Sequence, residues 1–171
     1  METNGRLLVC YDGSDGAKAA LEAAARVSDR HEAVVACYWQ PFGSSSKRFA
    51  IDIRELVQDA DDINRREKGR AQQIADEGVE LARSFGLDAE GCAVEIDGPI
   101  EEAILAHADE IEAAAIVLGA RSRSSLRSLL IGSTSNEIVQ RATRPVFLAP
   151  SARLAQRRRL ELSEEEDQPS A

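Results

Sequence analysis

Short apolar runs alternate along this chain with longer stretches in which apolar residues return every three or four positions. Residues 7–11, LLVCY, read as a first strand stopped by Asp12 and Gly13. Ala17, Ala20, Leu21, Ala24 and Ala25 then recur at helical spacing and predict a helix over 15–28. A second apolar run, 33–39, ends before Pro41, and 42–53 is a Gly- and Ser-rich connection. A long charged helix is expected over 55–85, with Gly86 as its stop and with Gly69 and Gly78 as possible interruptions. A third strand at 89–96 is followed by Gly98 and Pro99, which open a short helix to 108. Residues 113–118 form a fourth strand, 134–142 a fourth helix, and 145–149 a fifth strand, opened by Pro145 and closed by Ala149.

Strands alternating with helices predict right-handed βαβ units. The strands are near-continuous apolar runs, as expected where both faces of a sheet are covered. The expected fold is therefore single-domain α/β, an open five-stranded parallel sheet with helices on both faces, of Rossmann-like type. It spans residues 1–150. After Ser151 the periodicity stops, and a basic cluster (Arg153, Arg157, Arg158, Arg159) precedes an acidic run (Glu164 to Asp167). That composition predicts a charged, disordered tail over 151–171. A partner-binding or autoregulatory tail is the alternative.

Charge and composition narrow the functions. Of 171 residues 43% are hydrophobic and 30% charged, an ordinary globular balance, and the net charge is −9. An acidic chain is a poor nucleic-acid binder, since phosphate contacts need a basic face. The N-terminus has no basic stretch followed by a long apolar one, and no run approaches a membrane span, so the expected compartment is the cytoplasm. Cys10, Cys37 and Cys92 have no CxxC spacing and read as buried reduced thiols.

Against that acidic background the segment 121–144 carries five arginines (121, 123, 127, 141, 144) and one glutamate (137), a local charge of about +4. It follows the fourth strand, where ligands of open α/β sheets bind. Gly119 ends that strand, and Gly132, Ser133 and Thr134 stand where the next helix begins. Thr134 and Glu137 have the spacing of a capping box. A helix start offers unpaired N–H groups and a favourable dipole to an anion, glycine permits close approach, and hydroxyls add donors. Arg121 and Arg123 join the candidate site through charge and position. The alternative is a turn, a cap and a solvated basic face.

These residues resemble the universal stress protein family. Its ATP-binding members carry G-x2-G-x9-G-[ST] after the fourth strand, and here Gly119 and Ser122 are followed after nine residues by Gly132, Ser133 and Thr134. "LLVCYDGSDGAKAALEAA", "DGPIEEAILAHADE" and "NEIVQRATRPVFLAP" resemble its first strand, third-helix entry and last helix and strand. The likeness covers about residues 6–150. Ser122 departs from it, standing where the family has a second glycine. The resemblance implies a nucleotide-binding regulatory protein using ATP with Mg²⁺. Gly119, Ser122, Gly132, Ser133 and Thr134 would cradle the phosphates. The Asp12, Gly13, Ser14 loop lies beside them, with Asp12 accepting from the ribose or sitting near the metal. Backbone groups near Tyr38 and Trp39 would flank adenine. Asp12 could instead serve only a turn or cap, and Trp39 only the core. The resemblance further implies a homodimer through the fifth strand, 145–149, and an unidentified regulatory protein partner.

Catalytic equipment is sparse. His31 and His107 belong to no motif, and neither a nucleophile elbow nor a P-loop occurs. At most slow ATP hydrolysis is expected. The alternative to nucleotide binding is a dimeric scaffold that has lost its ligand, favoured by Ser122.

Overall fold

Apolar runs bounded by turn residues become five parallel strands, and the amphipathic stretches become the helices that cover them. The computed structural model describes residues 6–27, 32–42, 56–120 and 132–166. Its elements are β1 (Leu7–Cys10), α1 (Asp15–Val27), β2 (Glu32–Trp39), α2 (Leu56–Ser84), β3 (Asp88–Glu95), α3 (Ile100–Glu110), β4 (Ala115–Ala120), α4 (Ser133–Arg141), β5 (Val146–Pro150) and α5 (Ala152–Glu166). The sheet order is β3-β2-β1-β4-β5, parallel throughout. This is the expected single-domain α/β architecture.

The period-two alternation of side chains along each strand divides the core into two layers. Leu7, Val9, Val35 and Val117 point to one face, where Ala20, Leu21 and Ala24 of α1 and Val79 and Ala82 of α2 cover them. Leu8, Val34, Ile116 and Leu118 point to the other, beneath Ile104 and Ala108 of α3 and Ile138 of α4. Two covered faces explain why the central strands read as unbroken apolar runs.

α2 runs through Gly69 and Gly78 without interruption over 29 residues. A Cβ on Gly78 would lie 2.7 Å from Val35 Cγ1 and 2.8 Å from Tyr11 Cδ1, so this glycine brings the helix close to the sheet. No described atom lies within 4 Å of a Cβ placed on Gly69, and no packing reason for it is visible among the described residues.

α2 also closes the β3 edge. Gln72 Oε1 accepts the Ala93 N–H at 3.1 Å, Gln72 Nε2 donates to the Gly91 carbonyl at 3.4 Å, and Arg83 donates to the Ala89 carbonyl at 3.1 Å. Side chains thus take the place of a sixth strand, one way of protecting an exposed edge. Gln72→Ala should cost about 1 kcal/mol, since a partly buried N–H loses its acceptor. Calorimetry should show a melting temperature lower by roughly 3 °C. An unchanged value would mean that water serves this edge equally well.

The expectation of a disordered segment after Ser151 needs correction, because α5 occupies Ala152–Glu166. Mean charge was a poor guide here. Ala, Arg, Leu, Gln and Glu are all strong helix formers. The Ser151 hydroxyl accepts the Leu154 N–H at 3.3 Å, and Leu154 is buried. Residues 167–171 lie outside the described part, as does nearly all of the expected connection 42–53.

Candidate functional site

Sheet order reverses between β1 and β4, since the chain builds outward from β1 through β2 and β3 on one side and through β4 and β5 on the other. The crevice beyond the carboxyl ends of these two strands is the switch point of an open α/β sheet. The turn after β1 enters it. Asp12 Oδ1 accepts the Ser14 N–H at 3.1 Å, and Ser14 Oγ accepts the Ala17 N–H at 3.2 Å, capping α1. Gly13 has φ +76°, so glycine is favoured there by conformation alone. Asp12 and Ser14 therefore carry structural duties in the turn and at the start of α1.

Gly119 is glycine for a different reason. It lies inside β4, not beyond it as its turn-like surroundings suggest. A Cβ there would stand 2.3 Å from the Gly16 carbonyl carbon, 2.4 Å from the Gly16 oxygen and 2.7 Å from the Ala17 nitrogen. Two glycines let the first turn of α1 lie directly on β4, which sets the Asp12–Ser14 turn beside Gly119 and Ala120. Gly16 is a site-building residue that sequence reasoning missed. Its only signal was a second glycine three residues after Gly13.

Gly132 fits neither explanation. It is the N-cap of α4, with φ −53° and ψ 153°, a conformation open to any residue. No described atom lies within 4 Å of a Cβ placed on it. Because α4 leads into the loop that starts β5, its N-terminus lies at the carboxyl edge of the sheet. That end has no side-chain cap and no acidic residue in its first turn. The expected capping box of Thr134 and Glu137 is not formed, because the helix begins one residue earlier and Ser133 and Thr134 are its first two residues. A helix start of this kind, with no side-chain cap among the described residues, can offer its first N–H groups to water or an anion.

The arginine-rich segment divides. Arg141, in the last turn of α4, pairs with Glu102 at 3.3 Å. Arg144 donates to the carbonyls of Ala108 (2.8 Å) and Ala113 (2.6 Å) and pairs with Asp109, closing the end of α3. Arg141 ends α4, roughly 13 Å along its axis from Gly132, and Arg144 lies beyond that end. They do not belong to the candidate anion site. Arg121, Ser122, Arg123 and Arg127 lie outside the described residues, as does His31.

At the end of β2, alternation sends Tyr38 and Trp39 to opposite faces. Trp39 packs with Cys37, Ala71 and Ala75 under α2, and its carbonyl accepts the Ile96 N–H at 2.9 Å. Its indole N–H is buried and has no hydrogen-bond partner among the described residues. Tyr38 Oη shares a 3.0 Å hydrogen bond with His107 Nδ1, and the rings meet edge to face. Tyr38 and Trp39 thus offer the crevice backbone more than side chain, and His107 belongs to a strut between β2 and α3.

Burial pushes the Cys10 thiol up to about 12 and the Cys92 thiol to about 11, so both stay protonated. The two flank Ala36 in register on β1 and β3. Their Cα atoms are therefore roughly 9.6 Å apart, beyond disulfide reach.

Burial also holds His107 below its ordinary pKa. Its contribution to stability is complete above about pH 6.5 and is lost as pH falls through the lowered folded value. Melting temperatures taken between about pH 7 and pH 5 should therefore fall more steeply in wild type than in His107→Gln. Parallel curves would show that the imidazole titrates alike folded and unfolded.

Among the described residues, no helix is long and apolar enough to cross a membrane, and no three His, Cys, Asp or Glu side chains cluster to hold a metal ion.

A family model described as the universal stress protein family matches residues 3–150. The chain is 29% identical over 147 residues to universal stress protein YxiE of Bacillus subtilis, covering 84% of this chain and 97% of that protein. Two solved structures share the fold. One is the universal stress protein from Archaeoglobus fulgidus in complex with dAMP, 21% identical, with a TM-score of 0.55 over 86% of this chain and 98% of that one. The other is a universal stress protein in complex with cAMP, 20% identical, with a TM-score of 0.58 over the same shares.

Proposed function

Because this chain belongs to the universal stress protein family, we propose that it is a nucleotide-binding regulatory protein whose ligand phosphates rest on the α4 N-terminus. One observation carries this reading. Gly132 needs neither an unusual backbone conformation nor room for a neighbouring described atom, yet it sits at an uncapped helix start in the crevice. An approaching phosphate gives the missing side chain a purpose. Relatives of the same fold are described in complex with dAMP and cAMP, which supports a nucleotide as the ligand.

In this reading ATP is the ligand. The N–H groups and hydroxyls of Ser133 and Thr134, with Gly119, Ser122 and Gly132, hold the phosphates, and Arg121 and Arg123 add charge. Asp12, Gly13 and Ser14 line the other wall, and backbone near Tyr38 and Trp39 meets the base. Mg²⁺ would be carried in largely by the phosphates themselves, as is usual for this ion. The decisive experiment is calorimetry of binding with Mg-ATP, ADP, AMP and cAMP. Micromolar binding of any of them sustains the site, and the rank order sets the phosphate count. No heat and no stabilisation with all four would leave the nucleotide-free scaffold, to which Ser122 already inclines.

The same family reading makes the protein a homodimer through β5. Ile116 donates to the Pro145 carbonyl, so Val146 and Leu148 turn their backbone groups outward. Phe147 is 38% exposed on this strand.

A further inference from the structure

We propose that the first part of α2 is a lid that bends at Gly69 and closes over a nucleotide in the crevice, a device that rests on the nucleotide-binding reading above. α2 changes character at one point. Ala71, Ala75, Gly78, Val79 and Ala82 are buried on the sheet, whereas every residue from 61 to 70 except Asn64 is exposed. Ala71 and Ala75 pack against Trp39, the last residue of β2. The residues before 71 therefore run past the carboxyl edge of the sheet, the edge at which the crevice opens. Residues 60–70 form an arm of roughly 15 Å standing clear of the core.

Gly69 stands at the junction of arm and body. Glycine is the least favourable helix residue after proline, and neither conformation nor packing calls for it here. Its φ is not positive, and no described atom lies within 4 Å of a Cβ placed on it. What glycine supplies at such a junction is freedom to bend. The arm buries almost no face, and a helix this short is marginal in water by itself, so bending it sacrifices little packing.

The side of the arm that looks toward the crevice follows from the packed part. Ile74 and Leu81 pack against the α1 cluster, and a Cβ on Gly78 would meet Tyr11 at the exit of β1. Carried back at helical spacing, that side presents Arg70, Glu67 and Ile63. Arg70 is already close to the Asp12 turn. Burial and then Asp12 raise the Cys37 pKa while Arg70 lowers it, so the carboxylate and the guanidinium act on one thiol. Where it passes Trp39, α2 lies over β2, about 4.8 Å to the side of β1. A bend of roughly 30° at residue 69 moves the tip of the arm about 7 Å sideways, which brings Ile63 over the crevice. A ligand shifts such an equilibrium only through contacts that it gains in the closed state. Those contacts are apolar cover from Ile63, now 36% exposed, and charge from Arg70. Asn64 Oδ1 accepts the Phe42 N–H at 2.6 Å, an exposed bond that steadies the arm in its open position.

Gly69→Ala tests the hinge through two effects of opposite sign. Nothing described crowds the added methyl, so the melting temperature should rise by roughly 2–4 °C. The same helix preference works against the bend, so calorimetry should show Mg-ATP binding about fivefold more weakly. Gln73→Ala is the control, an exposed position in the packed part of α2, and should leave affinity unchanged. Hydrogen exchange of the amides of 60–68 should slow in wild type when Mg-ATP is added. Wild-type affinity in Gly69→Ala overturns the lid and leaves the nucleotide site standing, and so does arm exchange that bound Mg-ATP does not slow. Equal weakening in Gln73→Ala also overturns it, because general stiffening of α2 is then the cause. If wild type binds neither Mg-ATP nor ADP, AMP or cAMP, the nucleotide reading fails and the lid falls with it.

Discussion

Gly119→Val is expected to lower the melting temperature by roughly 10 °C. A side chain at this position meets backbone of the opposing helix, with the Gly16 carbonyl carbon at 2.3 Å and the Ala17 nitrogen at 2.7 Å. No rotamer change relieves such a contact. Either α1 lifts from β4 or the end of β4 bends away. Overpacking of this kind costs about 3 kcal/mol, and a domain of this size loses 2–4 °C for each kilocalorie. Lifting α1 also separates Asp12 and Ser14 from the end of β4, so nucleotide binding should weaken along with stability. Gly13→Ala is the control. It meets nothing within 4 Å but is held at φ +76°, and should cost only about 1 kcal/mol. Equal melting temperatures for Gly119→Val and wild type would show that α1 does not rest on β4 this closely.

Gly132→Val should do the reverse, sparing the fold and abolishing the ligand response. Its backbone lies in a region valine accepts, and no described atom crowds the new side chain. The cost is that of a poor N-cap, about 1 kcal/mol or less. Saturation of the wild type at ~100 times its dissociation constant should add about 2.7 kcal/mol, or roughly 5–10 °C. In the variant the branched side chain covers the first N–H groups of α4, and that gain should vanish. A wild-type response that survives in the variant would move the phosphates away from this helix start. Together the two valines separate a glycine whose Cβ would strike described backbone from one whose Cβ meets no described atom.

Much of the fold could be read from period alone. The alternation of apolar runs and helical stripes placed all five strands and the first four helices to within a few residues, because burial on both faces leaves strong periodic signals. The failures share a cause. Periodicity and composition say what a residue is like, not what stands opposite it. Gly119 looked like a turn because its partner, Gly16, is a hundred residues away in sequence. Arg141 and Arg144 raised the local charge of the phosphate segment, yet they are spent on Glu102, Asp109 and the end of α3. Thr134 and Glu137 had capping-box spacing, but the helix starts one residue too early to use it. The segment after Ser151 was judged by charge when helix propensity and a single buried leucine decide its conformation. His107 and Tyr38 are 69 positions apart, and nothing local announces their bond.

The unequal treatment of the two sheet edges limits how far copies of this chain can add to one another. Gln72 and Arg83 occupy three outward backbone groups of β3, at Ala89, Gly91 and Ala93, so that side is a poor template for another strand. Among the described strands β5 is the more open edge. A second chain that joins there by a two-fold consumes its own β5 in the same act, and the ten-stranded sheet that results ends in β3 on both sides. Growth terminates after a single event, without a cap protein and without any charge barrier. Freeing the β3 edge would turn a closed pair into a unit able to polymerise.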